Sequence, residues 1–308
     1  MTQHLKPERA GLDELVIISG KGGTGKTSIA ASLAVLARGT AVLADCDVDA
    51  ANLGLILRPT VREEHEFMAS KLAFIDQDKC EGCGTCLEVC RSHAIEDSGG
   101  RPAVNEYACE GCGVCFHVCP AGAVEMRDVV SGRWFVSETP YGPLVHARLG
   151  PGEENSGKLV TLVRRKAAEM AEAQGKDLII IDGPPGIGCP VIACLSGASR
   201  ALIVTEPTLA GLHDMERVLE VCHHFEVPAQ VVINRFDIDE ANTRRIRERC
   251  SARGIEVVAL IPFDTEVTRA AVRGMTIVEA SDGRTARCIR ALWEKLNSER
   301  PEATPKGR

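Results

Sequence analysis

Aromatic residues are scarce in this chain of 308 residues, at 4% of the sequence. An interior with so few rings has to be built from aliphatic side chains. A basic excess is also missing, because the formal net charge is -7. This balance excludes a general electrostatic attraction to nucleic acid or to an anionic membrane, so we expect no specific nucleic-acid partner. No apolar run approaches the length that spans a bilayer, and the first residues lack a signal-peptide core. We therefore predict a cytoplasmic protein without membrane insertion.

The densest functional pattern is GKGGTGKT at residues 20–27, which fills G-x-x-x-x-G-K-S/T between an apolar run and a helix-like segment. Backbone N–H groups of such a loop point at phosphate oxygens, while the lysine reaches the β- and γ-phosphates and the hydroxyl binds Mg²⁺. A glycine-rich turn without a ligand is the alternative. We predict a site for nucleotide phosphates and Mg²⁺ formed by Gly20, Gly22, Gly23, Thr24, Gly25, Lys26, Thr27 and Ser28.

Acidic residues follow two other apolar strands of the sequence. Asp45, Asp47 and Asp49 come directly after the run at residues 40–44, and Asp182 ends the run DLIII. The carboxyl ends of parallel strands form the edge at which open α/β sheets bind ligands. We therefore predict that Asp182 holds Mg²⁺ through water. For Asp47 and Asp49, a solvated acidic loop or a helix cap is the alternative.

The alternation of strands and helices predicts an α/β fold with a mostly parallel sheet covered by helices on both faces. The alternation stops between residues 60 and 158, where glycine and proline punctuate the chain, and we predict an inserted domain there. The main domain is then formed by residues 1–59 and 159–308, and the core of the insert by residues of about 74–126. Polar residues at 1–13 and 298–308 predict a loosely packed lead-in and a disordered tail.

Eight of the fourteen cysteines lie in two copies of C-x2-C-x2-C-x3-C, inside an internal repeat of the insert. This run is typical of bacterial ferredoxins, in which the fourth cysteine ligates the other [4Fe-4S] cluster. Zinc is the alternative, but zinc motifs pair C-x2-C with a distant second pair. We predict a small α+β bacterial-ferredoxin-like domain with two [4Fe-4S] clusters. The first would be held by Cys80, Cys83, Cys86 and Cys119, and the second by Cys109, Cys112, Cys115 and Cys90.

The segments KGGTGKT, DCD and DGPPG together resemble the deviant Walker A group of P-loop ATPases, which includes MinD, ParA, Mrp and the nitrogenase iron protein. The resemblance covers residues 15–57 and 159–297, and a MinD-like P-loop NTPase with an inserted ferredoxin domain matches the whole chain. It implies ATP as the nucleotide. It also implies an ATP-dependent homodimer, or a heterodimer with a paralogue, in which Lys21 reaches across to the partner's phosphates.

The same resemblance implies further residue roles. Asp47 would orient the attacking water, Asn234 in VINRF would read the purine base, and Pro262 lies where the base-side loop of the family passes. Cys189 lies seven residues after Asp182, the offset of the cysteine that binds the intersubunit cluster in the nitrogenase iron protein. We find no second cysteine for such a cluster. The C-terminal basic membrane helix of MinD is also missing, and the C-x-x-C pair of Mrp-like carriers is missing from the ATPase part of the sequence.

Three functions are compatible with these patterns. The first is an ATPase that uses Lys21, Lys26 and Asp47 to hydrolyse ATP slowly, stimulated by its partner, and couples its nucleotide state to electron transfer towards a redox partner protein. The second is an ATPase that assembles or delivers iron-sulfur clusters or another metal centre to a metalloprotein partner. The third is a positioning ATPase of the ParA or MinD kind whose clusters are structural.

Overall fold

The computed structural model describes residues 11–150, 153 and 156–300. Its backbone contacts divide the chain into two compact units. Unit 1 consists of the described parts of Met1–Glu64, Trp134–Arg148 and Ser156–Arg308, and unit 2 of those of His65–Arg133 and Leu149–Asn155. The segment Trp134–Arg148 therefore belongs to unit 1, whereas the predicted insert boundaries of 60 and 158 place it in the insert.

Secondary structure alternates along most of the described chain. The strands are β1 (Asp13–Ser19), β2 (Ala41–Asp45), β3 (Thr60–Ile75), β4 (Ile95–Asp97), β5 (Pro102–Val104), β6 (Val124–Thr139), β7 (Gly142–Leu149), β8 (Leu178–Pro185), β9 (Arg200–Thr205), β10 (Ala229–Asn234) and β11 (Val257–Ile261). The helices are α1 (Lys26–Ala37), α2 (Leu53–Leu57), α3 (Thr85–Val89), α4 (Val114–Val118), α5 (Ser156–Ala173), α6 (Cys189–Leu195), α7 (Leu209–His224), α8 (Glu240–Ala252), α9 (Thr265–Val272), α10 (Ile277–Ala280) and α11 (Arg284–Ser298).

Unit 1 is built on a sheet in the order β11-β10-β9-β1-β8-β2-β7, in which each of these neighbours pairs in parallel. The unit 1 portions of β6 and β3 continue the order beyond β7. The predicted α/β class with a mostly parallel sheet is thereby confirmed. Because β7 pairs with β2 in this sheet, its residues up to Arg148 belong with unit 1 rather than with the insert.

The core of unit 1 is aliphatic, as the shortage of aromatic residues requires. All seven residues of β1 are buried, because helices cover a parallel sheet on both faces. On one face the core joins α1, α10 and α11 through side chains such as Leu33, Ile277 and Leu292. On the other face α5 packs against β2, β8 and α6. Among the described residues, no helix combines the length and apolarity that crossing a bilayer requires.

Two strands are longer than is usual, since β3 and β6 each have 16 residues. The first seven residues of β3 are exposed and mostly charged, so no hydrophobic alternation marks them as a strand. At the chain ends, Asp13 belongs to β1 and Ser298 to α11. The rest of the predicted lead-in and tail, residues 1–10 and 301–308, lies outside the described residues.

Unit 2 repeats one local arrangement twice. In each half a cysteine N–H bonds a carbonyl four residues earlier, at 3.0 Å for Cys80 and 3.1 Å for Cys109. A glycine in the left-handed region then begins a short helix, Gly84 before α3 and Gly113 before α4. The two helices contact each other, and β4 pairs with β5 in an antiparallel ribbon. The two copies of the sequence repeat therefore fold into matching halves.

Candidate nucleotide and cysteine sites

The phosphate loop lies between β1 and α1, and two of its glycines cannot carry a side chain without displacing a neighbour. A Cβ on Gly20 would lie 2.4 Å from the Cβ of Asp214 in α7. A Cβ on Gly25 would lie 2.5 Å from the amide nitrogen of Asn234, and Gly25 also has a φ of 95°. The loop therefore needs glycine both for its backbone conformation and for its close contacts with the neighbouring elements.

The remaining predicted loop residues also fall in this loop or in the first turn of α1. Lys26 begins the helix and is 5% exposed. The hydroxyl of Thr24 is buried and has no hydrogen-bond partner among the described residues. A buried lysine and an unpartnered buried hydroxyl beside the amino end of a helix fit a site that an anion completes. The roles of these residues in nucleotide binding stay predictions.

Two carboxylates lie side by side at the carboxyl edge of the sheet. Asp45 ends β2 and is the register partner of Asp182 in β8. Asp45 accepts hydrogen bonds from the N–H groups of Leu53 at 3.0 Å and Asp47 at 3.2 Å. It is fully buried, and burial together with the charge of Asp182 raises its pKa. Asp45 thus holds the turn that carries Asp47.

Asp182 is a buried acidic residue of the site whose carboxylate lacks hydrogen-bond partners within the described chain. Neither of its carboxylate oxygens accepts a hydrogen bond of normal geometry from the described part of the chain. Burial raises the pKa of Asp182 to about 7, although the Thr27 hydroxyl and the Lys26 ammonium lower it. A buried, unpartnered carboxylate next to a threonine hydroxyl fits the oxygen ligands that Mg²⁺ prefers. The structure therefore brings the two predicted Mg²⁺ ligands together.

Asp47 lies one turn beyond β2 and is half-buried. Burial raises the pKa of Asp47, Lys26 lowers it, and Asp49 raises it further. Asp49 itself is exposed. Asp47 thus lies near the phosphate-loop lysine. Asp49 is exposed to solvent, as the alternative of a solvated acidic loop describes.

Lys21 is paired within its own chain. Its ammonium nitrogen lies 3.1 Å from a carboxylate oxygen of Glu206, and Arg235 donates to the other oxygen of that carboxylate. Glu206 follows β9 and Arg235 follows β10, so both lie at the carboxyl edge of the sheet. The sequence predictions omit both residues. The rule that selected Asp47 and Asp182, a charged residue directly after an apolar strand, would have found them.

Asn234 ends β10, and Pro262 directly follows the neighbouring strand β11. The amide nitrogen of Asn234 donates to the carbonyl of Thr24 at 2.8 Å, and its oxygen accepts from the N–H of Arg235 at 3.0 Å. Asn234 therefore supports the phosphate loop in this structure, and its reading of a purine base stays a prediction. Pro262 is buried directly after β11.

Cys189 is exposed at the start of α6, directly after the loop that follows β8. The N–H of Gly186 in this loop donates to the carbonyl of Ser19 at 2.8 Å, and Ser19 directly precedes the phosphate loop. On the other side, Cys189 lies close to Gly157 of α5. Cys189 therefore lies between the loop that follows β8 and the first turn of α5.

In unit 2, the four cysteines predicted for the first cluster surround one cavity. The cavity is lined by Cys80, Cys83, Cys86 and Cys119, together with apolar residues such as Ile75 and Val124. Cys119 comes from the second repeat, so this cavity combines cysteines of both repeats. No cysteine of the chain, all of which lie in the described part, forms a disulfide.

The fourth cysteines of the two repeats are equivalent. The N–H of Ala94 donates to the sulfur of Cys90 at 3.3 Å, and the N–H of Ala123 donates to the sulfur of Cys119 at 3.3 Å. Within the described residues, no group of three or more histidine, cysteine or acidic side chains is gathered so that it could hold a metal ion. The cysteines are thus spread around a space instead of converging on one point.

The fold and the nucleotide site define a class of protein. A phosphate loop between the first strand and helix of a parallel sheet, with an acid at the end of the adjacent strand, is the arrangement of a P-loop NTPase. The sequence model of the CobQ/CobB/MinD/ParA nucleotide binding domain matches residues 15–277, and the chain belongs to this family. It is an ATPase of the MinD/ParA type, which confirms the predicted enzyme class.

Individual relatives support this assignment. The chain is 34% identical to the uncharacterized protein MJ0578 of Methanocaldococcus jannaschii over 92% of this chain and 96% of that protein. It is 26% identical to the iron-sulfur cluster carrier protein of Pyrococcus horikoshii over 46% of this chain and 52% of that protein. The structure of the septum site-determining protein MinD of Pyrococcus horikoshii, complexed with Mg-ADP, matches with a TM-score of 0.57 at 16% identity. That structure covers 93% of this chain and 96% of its own, and it shows the shared fold.

Proposed function

We propose that this protein is a nucleotide-gated electron carrier, which hydrolyses ATP in unit 1 and binds two [4Fe-4S] clusters in unit 2. The observation that carries the proposal is the cavity lined by Cys80, Cys83, Cys86 and Cys119. A cysteine of the second repeat completes a site of the first, which is the ligand exchange of two-cluster ferredoxins. Two such clusters are suited to passing single electrons.

The donor set fits an iron-sulfur cluster better than zinc. Four thiols around a cavity match a group with several iron atoms, each taking one thiolate, whereas zinc needs four ligands that converge on one ion. The N–H groups of Ala94 and Ala123 point at ligand sulfurs, and such hydrogen bonds adjust the reduction potential of a cluster. When bound, the clusters would accept and release one electron at a time.

ATP fits the site of unit 1 through this chain's own groups. The N–H groups of the loop and the amino end of α1 face the phosphates, and Lys26 neutralises charge that develops during transfer. Thr27 and Asp182 are the groups that would hold Mg²⁺, which supplies further positive charge to the phosphates. Asp47 would orient the water that attacks the terminal phosphate.

ATP binding is expected to bring two chains together. Lys21 would leave Glu206 and reach the phosphates of the partner subunit, so that each site is completed by the other chain. Hydrolysis would remove the group that Lys21 binds and weaken the dimer. The loops after β2 and β8 carry Asp47 and Cys189, so the nucleotide state would be felt on both sides of the site.

Anaerobic reconstitution with iron and sulfide tests the cluster assignment. We expect reduced wild-type protein to show two magnetically coupled [4Fe-4S]⁺ spins in each chain by electron paramagnetic resonance. Cys119→Ala should leave one uncoupled cluster, because it removes a ligand of the first cavity alone. Cys288→Ala, in α11 and outside both repeats, is the control and should keep both spins. One cluster or none in the wild type would contradict the proposal.

Delivery of iron-sulfur clusters is the second candidate. It is favoured by the similarity to an iron-sulfur cluster carrier protein over 155 residues. A carrier has to release its cluster, whereas an electron carrier has to keep it. Incubation with an apo-ferredoxin and ATP separates the two functions. Iron that stays with this chain through many turnovers supports electron transfer, and stoichiometric movement of iron to the acceptor supports delivery.

A further inference from the structure

The two halves of unit 2 share a backbone but differ in the side chains that they expose. Three equivalent positions are polar or shielded in the first half and apolar and exposed in the second. The pairs, first half before second, are Asp78 and Tyr107, Thr85 and Val114, and Leu87 and Phe116. Because the local folds match, the difference reflects the sequence and not a change of conformation.

The three residues of the second half form the apolar patch, defined here as Tyr107, Val114 and Phe116. Their relative exposures are 103%, 43% and 47%. Cys112, which is also exposed, lies between them in the chain and is a proposed ligand of the second cluster. The three residues lie within a segment of ten residues, and exposed large apolar side chains of this kind are enriched at interaction surfaces. The patch therefore includes the direct chain neighbours of Cys115, another proposed ligand of the second cluster.

The surroundings of the apolar patch are acidic. Glu106 and Glu110 are exposed on either side of Tyr107 in the chain. Residues 74–126 contain nine acidic and three basic side chains. A surface of this charge attracts a partner that carries an excess of lysine and arginine, and it increases the rate at which the two meet.

We propose that the apolar patch docks an electron-transfer protein whose own redox centre lies under an apolar face rimmed by lysine and arginine. The inference rests on the proposed function and names the kind of partner for it. A reduced cluster held by Cys90, Cys109, Cys112 and Cys115 would supply one electron to the oxidised centre of the partner in this complex, and no bond or proton would need to move. The first half, with Asp78 and Thr85 at the matching positions, has no such face.

The charge distinguishes this partner from two other occupants. An anionic membrane would be repelled by the carboxylates around the apolar patch. A second copy of unit 2 would bring two acidic rims together, which is unfavourable for the same reason. A basic protein face satisfies both the apolar and the charged part of the surface.

Oxidised cytochrome c is a suitable probe, because its exposed haem edge is surrounded by lysine residues. We would mix it with the reconstituted full chain and couple carboxylates to lysine amines with a carbodiimide, then map the amide links by mass spectrometry. Glu81 and Glu110 provide a matched pair, because both follow the first cysteine of a repeat and both are exposed. We expect links at Glu106 and Glu110, and few at Glu81. Links concentrated at Glu81 or spread evenly over unit 2 would overturn the proposal.

Equilibrium binding to redox-inactive zinc-substituted cytochrome c gives a readout without electron transfer. Phe116→Ala and Tyr107→Asp should each weaken binding about tenfold, as loss of a central aromatic contact does. Glu110→Gln should weaken binding and reduce its salt dependence, whereas Glu81→Gln should change neither. Equal effects of the matched pair, absence of binding at low salt, or flotation with anionic vesicles would each overturn the docking surface.

The outcomes for docking and for the proposed function are separable. Cluster absorbance and paramagnetic resonance of each variant show whether both clusters are present and whether unit 2 is intact. A protein with two clusters that reduces cytochrome c equally well in all variants keeps the electron-transfer function and loses the docking surface. A protein without clusters loses the proposed function, whatever its binding shows.

Discussion

The ammonium nitrogen of Lys21 lies 3.1 Å from a carboxylate oxygen of Glu206 in the same chain. Glu206 also accepts from Arg235, so one carboxylate holds two cations. If Lys21 acts on the phosphates of a partner subunit, it first has to leave this pair. Arg235 would then remain to neutralise Glu206, so that the departure of Lys21 leaves no isolated charge. Breaking the pair between Lys21 and Glu206 would thus cost free energy when two chains dimerise.

Removing the carboxylate should favour the dimer. With Glu206→Gln, Lys21 has a weaker partner in its own chain, and we expect ATP-dependent dimers at roughly threefold lower protein concentration, the effect of one partly exposed ion pair. Arg235→Gln should act in the opposite direction, because Glu206 is then left to Lys21 alone. Sedimentation velocity over a range of concentrations with Mg-ATP measures both shifts. Shifts of the same sign in the two variants would contradict the competition.

Loss of the Lys21 amine should separate binding from turnover. Lys21→Ala should keep ATP affinity within a few-fold of the wild type while hydrolysis falls by about a hundredfold or more, since one charge on the transferred phosphate is lost. Equilibrium binding of a fluorescent ATP analogue and release of phosphate measure the two quantities. Lys158→Ala, on the exposed side of α5, serves as the control. Normal turnover by Lys21→Ala would rule out the role in trans.

The raised pKa of Asp182 predicts a pH dependence of stability in the nucleotide-free protein. The folded state raises this pKa to about 7, above the unfolded value, so the folded state binds the proton more tightly. Its contribution to the free energy of unfolding is therefore present at acid pH and lost as pH rises through about 7. Relative to Asp182→Asn, the wild type should lose about 2 kcal/mol between pH 5 and pH 7.

The comparison with Asp182→Asn is needed because another group changes the free energy of unfolding with pH in the opposite direction. Burial lowers the pKa of His146 to about 4, so its contribution is lost as pH falls below the usual range of histidine. The difference between the two proteins cancels this effect. Urea unfolding followed by the fluorescence of Trp134 and Trp293 reports on unit 1, which contains both tryptophans. If the free energies of unfolding of the two proteins change with pH in parallel, Asp182 is ionised over the whole pH range measured.

Two glycines of the phosphate loop should respond differently to alanine. Gly23 and Gly25 both lie in the left-handed region, at φ values of 80° and 95°, so each alanine costs roughly 1 kcal/mol of backbone strain. A Cβ on Gly23 meets nothing within 4 Å, whereas one on Gly25 displaces the amide of Asn234. Gly25→Ala should therefore destabilise unit 1 by about 1 kcal/mol more, the value of one lost hydrogen bond.

A double-mutant cycle checks the cause of that difference. In an Asn234→Ala background, the amide nitrogen that a Cβ on Gly25 would meet is absent, and the gap between the two glycine variants should close. Free energies of unfolding from urea titrations give the four values that the cycle needs. A gap that persists without the Asn234 amide would mean that the strain at Gly25 has another origin.

The sequence predicts the centre of unit 1 well because each central element carries its own pattern. β1 is a buried apolar run, and the loop after it has the spacing that is typical of phosphate-binding loops. The outer strands β3 and β6 carry no such pattern. In β3, for example, the first seven residues are all exposed. Periodicity arguments need a buried face, and these strands lack one over much of their length.

The contacts between residues of the site are harder to predict from the sequence than the residues themselves. The family resemblance implies the role of Lys21, and the end of an apolar strand predicts Asp182, but their partners come from strands that are distant in sequence. Glu206 lies 185 positions after Lys21, and only the sheet order brings the two together. The same holds for Asn234, whose contact with Thr24 depends on the packing of β10 beside β9. Residue types can be inferred locally, whereas pairings depend on topology.

The exchange of Cys119 into the first cavity has a consequence for synthesis on the ribosome. β1 pairs with β8 and β9, which both follow the whole of unit 2 in the chain. The first cavity is complete once Cys119 has left the exit tunnel, long before the central sheet can close. The cysteines of this cavity can therefore come together before the ATPase folds, while the nascent β1 and β2 still lack their neighbours. Translation speed downstream of Cys119 would then set the time in which the metal centre is assembled.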